Sequence, residues 1–319
     1  MLATLAAAVL VASCGHPADT RGGAMVPLVV RDRPSVSHNE SRVTTSSTSI
    51  YDSDQPRRPL ITEFRNLWEY RGLLRLLVTR DLTVRYKRSA LGVWWTLLNP
   101  LLTMSVMWVV FSQVFRFQIP NVPFAVYLLS GVLIVSFFAQ GVNSTGSAMV
   151  NNASVLKKVY VPPEVFAFAA GFAAATNFII SLIPLFVFQI ISGVGVPWTA
   201  LLVPIPMICL LAFTVGVGLL VAAAAVYFYD VLDLTGVFIQ LASYLVPTFY
   251  PIEIIPERFL WVIYSNPLFS YLTVFRGFVY EGAFAPGWNF IVMFGSALVM
   301  LFLGVWTFSR TWKNLVVLL

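Results

Sequence analysis

The side chains of this chain best suited to chemistry are cations gathered in a short stretch. Arg80, Arg85, Lys87 and Arg88 fall within nine consecutive positions. Guanidinium forks match phosphate oxygens through parallel hydrogen bonds, so such a cluster suits a phosphate or pyrophosphate group. Plain anchoring to anionic lipid is the more ordinary use of such a cluster, and the two are compatible. Nine of the twenty Lys and Arg residues lie between Arg57 and Arg88, just ahead of the first long apolar run. That is the placement of cytoplasmic, juxtamembrane charge, and it accounts for the net charge of +6 without nucleic acid.

A second group is aromatic. The chain holds 26 Phe, 12 Tyr and 9 Trp, and Trp108, Tyr127, Phe137, Phe138, Tyr244, Phe249 and Tyr250 fall along the apolar runs. Ring faces suit the C–H faces of sugars, and Tyr hydroxyls can bond sugar hydroxyls. A sugar polymer needs a lining that binds weakly enough to release. The alternative for each ring is packing or contact with lipid. Asn143, Ser144, Thr145, Asn151 and Asn152 form a polar patch near the inner end of the second run. They are suited to lining a pathway or to satisfying a helix end.

What is missing narrows the chemistry further. No G-x-x-x-x-G-K-[ST] occurs, so the chain carries no P-loop of its own. The two histidines, His16 and His38, both lie in the leader, which argues against a membrane-embedded glycan-modifying enzyme with a histidine base. The acidic residues of the body, among them Asp81, Glu164, Asp230, Glu253 and Glu281, fall at or beyond the ends of the apolar runs. Ion-coupled carriers place ionisable groups at mid-membrane. The two cysteines, Cys14 and Cys209, offer neither a disulfide framework nor metal-ligand spacing. Uphill transport by this chain therefore needs energy from another subunit, with no cofactor of its own.

The elements that must position these groups are membrane helices. Hydrophobic residues make up 58%, charged residues 11%, and mean hydropathy is +0.82; soluble domains carry about 25% charged residues. Apolar runs at about 93–115, 123–147, 165–191, 199–228, 233–250 and 289–309 predict six transmembrane helices in an all-α, polytopic membrane protein. Pro184, Pro204 and Pro206 offer kink points in the third and fourth. The fifth is short. Before them, Ile61, Phe64, Leu67, Trp68, Leu74, Leu77 and Val78 recur at helical spacing, which predicts an amphipathic interface helix within 60–88. The connection 251–288 holds Pro251, Pro256, Pro267 and Pro286 among apolar residues. It predicts short re-entrant helices packed against protein on the outer side. Residues 1–59, Ser- and Thr-rich from Ser35 to Ser53, read as a disordered leader or a mis-called start; the permease domain is 89–319. Placing both termini in the cytoplasm puts thirteen Lys and Arg inside and three (Arg116, Arg258, Arg276) outside, so the positive-inside rule selects that topology.

The stretch Arg80-Asp81-Leu82-Thr83-Val84-Arg85-Tyr86-Lys87-Arg88-Ser89-Ala90-Leu91-Gly92-Val93-Trp94-Trp95, with Asn99-Pro100-Leu101 after it, resembles the motif that opens the first span of O-antigen, teichoic acid and galactan exporter permeases. These are the membrane subunits of polysaccharide ABC transporters. Lys157-Lys158-Val159-Tyr160-Val161-Pro162-Pro163-Glu164 resembles that family's loop after the second span. Tyr250-Pro251-Ile252, Asn266-Pro267-Leu268 and Arg276 through Gly282 resemble its outer loop. The similarity covers about 60–319. One departure is Tyr229-Asp230, where the family often has Arg-Asp.

The resemblance implies a homodimer of six-span subunits bound to two copies of a separate ABC ATPase, which holds the ATP and Mg. It implies export of a polyprenyl-linked polysaccharide from the cytoplasm across the inner membrane. It also implies that the loop 151–164, with Asn151, Lys157, Lys158, Tyr160, Pro162 and Glu164, docks on the ATPase and transmits its closure as rigid-body motion. Read without it, the two lysines obey the positive-inside rule and no more. A neighbouring branch, ABC permeases for a small lipid or drug, is the alternative.

Overall fold

The computed structural model describes residues 67–311 in full and the backbone to 318, apart from 88–90, 93, 117–118, 120–121 and 159–160. The leader and the start of the predicted interface helix lie outside these residues. Among those described, every regular element is helical, as an apolar environment demands of a chain that must satisfy its own backbone.

The amphipathic segment forms helix α1, Arg71–Tyr86. Leu77 is buried, and Leu67, Leu73, Leu74 and Val78 pack around it against the core. Trp68, Leu76 and Val84 face away, with the Arg71 guanidinium over the Trp68 ring. Helix α2, Trp94–Trp108, runs into a π-helical turn, Val109–Val114. Helix α3, Phe124–Asn151, begins after the extended Pro123. Its 28 residues reach about 42 Å, beyond a hydrocarbon core of about 30 Å. A short helix α4, Ala153–Leu156, follows, and α5 spans Glu164–Ile191.

A 3₁₀ turn, Trp198–Leu202, leads into α6, Pro204–Ala225. Pro184 lies inside α5. Pro204 and Pro206 occupy the first turn of α6, where a missing N–H breaks no helical bond, so they start a helix instead of bending one. The remaining helices are α7, Val231–Tyr244; α8, Glu257–Tyr264; α9, Pro267–Arg276, continued by a π-helical turn Gly277–Glu281; and α10, Gly287–Leu318.

Among the described residues, five helical segments are long and apolar enough to cross a membrane: Trp94–Val114, Phe124–Asn151, Glu164–Ile191, Trp198–Ala225 and Gly287–Thr311. The fifth predicted run yields only the 14-residue α7, about 21 Å long. Pro247 lacks an N–H and cannot continue a helix, so the chain leaves α7 at Leu245 and runs irregularly to Pro251. Such backbone survives at membrane depth only where protein supplies its partners, and those partners are identified below.

The core has two parts. The larger joins α3, α5, α6, α9 and α10 through residues such as Leu129, Phe178, Phe213, Tyr271 and Phe275. The smaller lies at the end that carries α1 and includes Leu77, Met149, Phe166, Leu219 and Phe308. Helices α6 and α10 cross with backbones nearly touching. A Cβ on Gly304 would overlap the Gly216 backbone, the close approach that small residues permit between membrane helices. The faces of α2 and α7 are the least covered; Leu102, Val106 and Trp108 on one, and Leu234, Val237, Phe238 and Tyr244 on the other, are exposed.

Candidate functional site

At the α1 end, the length of α3 carries its last turn clear of the apolar zone, where polar side chains can gather. Asn152 caps this helix. Its N–H bonds Ala148 O and Met149 O, and its Nδ2 donates to Ala148 O at 2.8 Å. Its own carbonyl accepts from Val155 and Leu156 of α4. One residue thus ends α3 and begins α4. Its Oδ1 accepts from Arg80 Nη2 of α1 at 2.9 Å. Arg80 is fixed from the other side by Asp81, whose Oδ1 takes Nε at 3.1 Å and Nη2 at 2.9 Å.

Two turns further along α1, Tyr86 makes a second polar attachment. Its hydroxyl contacts Thr96 Oγ1 of α2 and donates to Asn177 Oδ1 of α5 at 2.7 Å. Asn177 Nδ2 donates to Gln140 Oε1 of α3 at 3.2 Å. A phenol has one proton, so Thr96 donates to Tyr86, Tyr86 to Asn177, and Asn177 to Gln140. The chain of donors runs one way through four helices.

Between these attachments lies a groove of about 640 Å³. Arg80, Asp81 and Arg85 of α1, Gln140, Ser144 and Asn151 of α3, and Asn177 of α5 supply its polar walls; Ala170, Ala173 and Ala174 supply a small-residue floor. Alanines on α5 leave room that larger side chains would fill. The groove thus sets two guanidinium groups and one carboxylate among amide and hydroxyl side chains.

The structure brings several sequence-derived candidates together here and separates others. Arg80, Arg85 and Asn151 share the groove. Lys87 is exposed just after α1, and Lys157 and Lys158 are exposed just after α4. Pro162 is half-buried, and Glu164 is buried in the first turn of α5, where a carboxylate faces the positive end of the helix. Arg88 and Tyr160 lie outside the described residues. Of the aromatic residues, Trp108 and Tyr244 are exposed on α2 and α7. Tyr127, Phe137 and Phe138 are buried in the core; Phe137 lies tilted against Phe178 with centroids 4.9 Å apart, and Phe138 stacks on Phe213 at 5.5 Å. Phe249 packs against the core, and the Tyr250 hydroxyl donates to Tyr244 O.

The opposite end holds a group that sequence reasoning counted only as a loop charge. Arg276, at the end of α9, is 7% exposed. Its Nη1 donates to Pro247 O at 3.0 Å, its Nη2 to Tyr127 O at 3.1 Å and its Nε to Ser130 Oγ at 3.2 Å. The guanidinium carbon sits 3.6 Å from the centre of the Tyr127 ring. The single proton of the Tyr127 hydroxyl is in turn shared between Tyr250 O at 2.8 Å and Pro247 O at 3.0 Å. These donors satisfy the irregular backbone after α7. The sequence signal was available: an arginine inside an apolar, proline-interrupted segment has to find acceptors or leave the membrane. Asn266 completes the hairpin. It caps α9 through Leu268 N–H and ties it to α7 through Ala242 O at 2.9 Å. Beyond Arg276, burial pushes the Glu281 carboxyl above the usual carboxylate range, and Arg276 draws it partly back.

The comparisons follow this geometry. Residues 72–280 match the family model described as ABC-2 type transporter. The O-antigen export system permease protein RfbA of Myxococcus xanthus is 32% identical over 224 residues, covering 70% of this chain and 85% of that protein. The chain belongs to the ABC-2 type transporter family. The RfbA permease of Klebsiella pneumoniae is 29% identical over 247 residues, 77% of this chain and 94% of that one. The polysialic acid transport protein KpsM of Escherichia coli is 22% identical over 232 residues, 72% and 89% of the two chains. The matched ABC-2 region runs from α1 to the π-helical turn after α9, so the groove and the Arg276 cluster both lie within it.

Proposed function

We propose that this ABC-2 protein is the membrane subunit of an ATP-driven exporter that carries a lipid-linked polysaccharide out of the cytoplasm. It works as two copies joined to two ABC ATPase subunits, which bind the ATP and Mg. The likeness to O-antigen export permeases across most of their length carries the reading. Support comes from α4, a short helix between two spans, and from the two exposed lysines that follow it.

In this reading the α1 end is cytoplasmic and α4 docks on the ATPase. The uncovered faces of α2 and α7 meet their counterparts in the second copy, where Trp108 and Tyr244 offer rings to the polymer. Arg85 and Lys87 receive the phosphates of the lipid carrier near the groove.

The test is surface polymer in a cell whose own O-antigen permease gene is deleted, supplied with this chain and its ATPase. Polymer is expected at the surface with the intact chain, and about tenfold less with Arg85→Ala at unchanged complex yield. An assembled complex that hydrolyses ATP while all polymer stays inside overturns the export reading.

A further inference from the structure

Helix α1 is held to the membrane body by an apolar stripe and by two polar attachments, and only one of these reaches the helix that docks. We propose that the Arg80–Asn152 hydrogen bond is the joint through which displacement of α4 moves α1. The Thr96–Tyr86–Asn177–Gln140 chain then passes that movement into the first three spans. Arg80 and Asn152 are positioning residues. This rests on the reading of α4 as the surface that meets the ATPase.

The argument begins with Asn152. Its backbone is bonded into α3 on one side and α4 on the other, with φ −112° and ψ 14°, outside the α-helical range. It is a hinge with intact hydrogen bonds. Tilting α4 rotates this residue, and its side chain presents Oδ1 directly to Arg80. Asp81 also holds the Arg80 guanidinium by Nε and Nη2, which favours the position facing Asn152. Displacement of Oδ1 therefore pulls on α1 itself. Along α1, Tyr86 is the next polar contact with the body, and it touches α2 and α5 at once. The path from α4 to the start of the first span consists of two side-chain pairs, Asn152–Arg80 and Tyr86–Thr96, joined by the backbone of α1.

The location also suits a joint that must move. Arg80 is 41% exposed, so its hydrogen bonds exchange readily with water and contribute little to static stability. A buried pair would lock the helix. A half-exposed pair transmits force while it is made and re-forms after slipping.

The experiment uses the full chain with its ATPase partner, reading nucleotide hydrolysis and surface polymer from the same cells. Arg80→Ala and Asn152→Ala are each expected to leave hydrolysis within about twofold of the intact complex while polymer falls about tenfold. Asn152→Asp supplies a charged acceptor to the same guanidinium and is expected to keep export within about twofold. If Arg80 served only to bind phosphate, the added carboxylate would repel that ligand and Asn152→Asp would export as poorly as Asn152→Ala. That result overturns the joint, as does normal export by Arg80→Ala. Failure of the intact chain to export, with the complex assembled, overturns the underlying export reading instead.

Discussion

Two arginines mark the two ends of the molecule, and they are held in opposite ways. Arg276 is sealed in the core, with three acceptors and an aromatic face around it. Arg80 is 41% exposed and shares one carboxylate and one amide. Burial of a cation is costly unless every donor is satisfied, so Arg276 specifies a single geometry: α9, the segment after α7 and the start of α3 must meet at one place. Arg80 imposes no such demand, because water can replace its partners. One end of the protein is pinned and the other is jointed. A permease driven from one face requires that difference, since movement applied at the α1 end does useful work only if something at the far end resists.

The largest effect expected from breaking this contrast is at Arg276. Arg276→Ala takes one donor each from Pro247 O, Tyr127 O and Ser130 Oγ, removes the cation from the Tyr127 ring and opens a cavity in the core, and is expected to destabilise the protein by about 3–5 kcal/mol. Arg276→Lys keeps the charge but not the three-way fork and is expected to fall between the two. Thermal unfolding in detergent or nanodiscs measures both, with Arg80→Ala as the reference expected to change by less than about 1 kcal/mol. Equal losses at the two arginines would abolish the distinction between the ends.

A finer test uses two glycines. Gly131 faces the pinned cluster: a Cβ there would stand 2.8 Å from Thr248 Cγ2 and 3.1 Å from Arg276 Nη2. Gly131→Ala is expected to cost about 1–3 kcal/mol through overpacking. Gly72, in the first turn of α1, has nothing within 4 Å of an added Cβ. There the same change is expected to be neutral or to stabilise by up to about 1 kcal/mol through helix propensity. Unfolding midpoints that shift alike would mean that packing is uniform from end to end.

How much of this was legible in the sequence follows the same division. Periodicity and hydropathy revealed the helices because each rests on local pattern: the stripe Leu74, Leu77, Val78 of α1 and the long apolar runs. The short helices α8 and α9 were legible from their prolines, and Asn266-Pro267-Leu268 reads directly as a cap followed by a helix start. The shortening of the fifth run to α7 was legible only in part: 233–250 stands out as short and is interrupted by Asp233, Gln240, Ser243 and Thr248, and Pro247 marks where helical bonding stops. The partners of Arg276 were also hidden. Tyr127 and Ser130 lie more than 140 residues away in sequence, and no local pattern ties them together. The Arg80 cluster stood out by charge, and Asn152 by its place in a polar patch. Their contact across 72 residues is a product of packing, and it makes Arg80 a partner of the α3–α4 junction. The buried positions of Tyr127, Phe137 and Phe138 likewise follow from which face of α3 turns inward, a choice that an almost uniformly apolar helix does not advertise.

The smallest expected effect sharpens the pinned end by titration. Desolvation raises the Glu281 carboxyl above its ordinary range, and the Arg276 charge opposes this. A carboxyl whose folded pKa is raised binds its proton more tightly in the native state. Its contribution is therefore fully present below the ordinary carboxylate pKa and is lost as pH rises through the raised value. Stability should rise modestly as pH falls from neutral through that window. The residue is exposed at one edge, so solvent screens the change and keeps it small. Glu281→Gln, which cannot titrate, is expected to flatten this part of the pH profile of unfolding while leaving the Arg276 contacts in place. In an Arg276→Ala background the opposing charge is gone, the Glu281 pKa climbs further, and the same portion of the profile should steepen and move to higher pH. A profile indifferent to both substitutions would mean that the pinned cluster ends at Arg276 and does not extend to the turn that follows it.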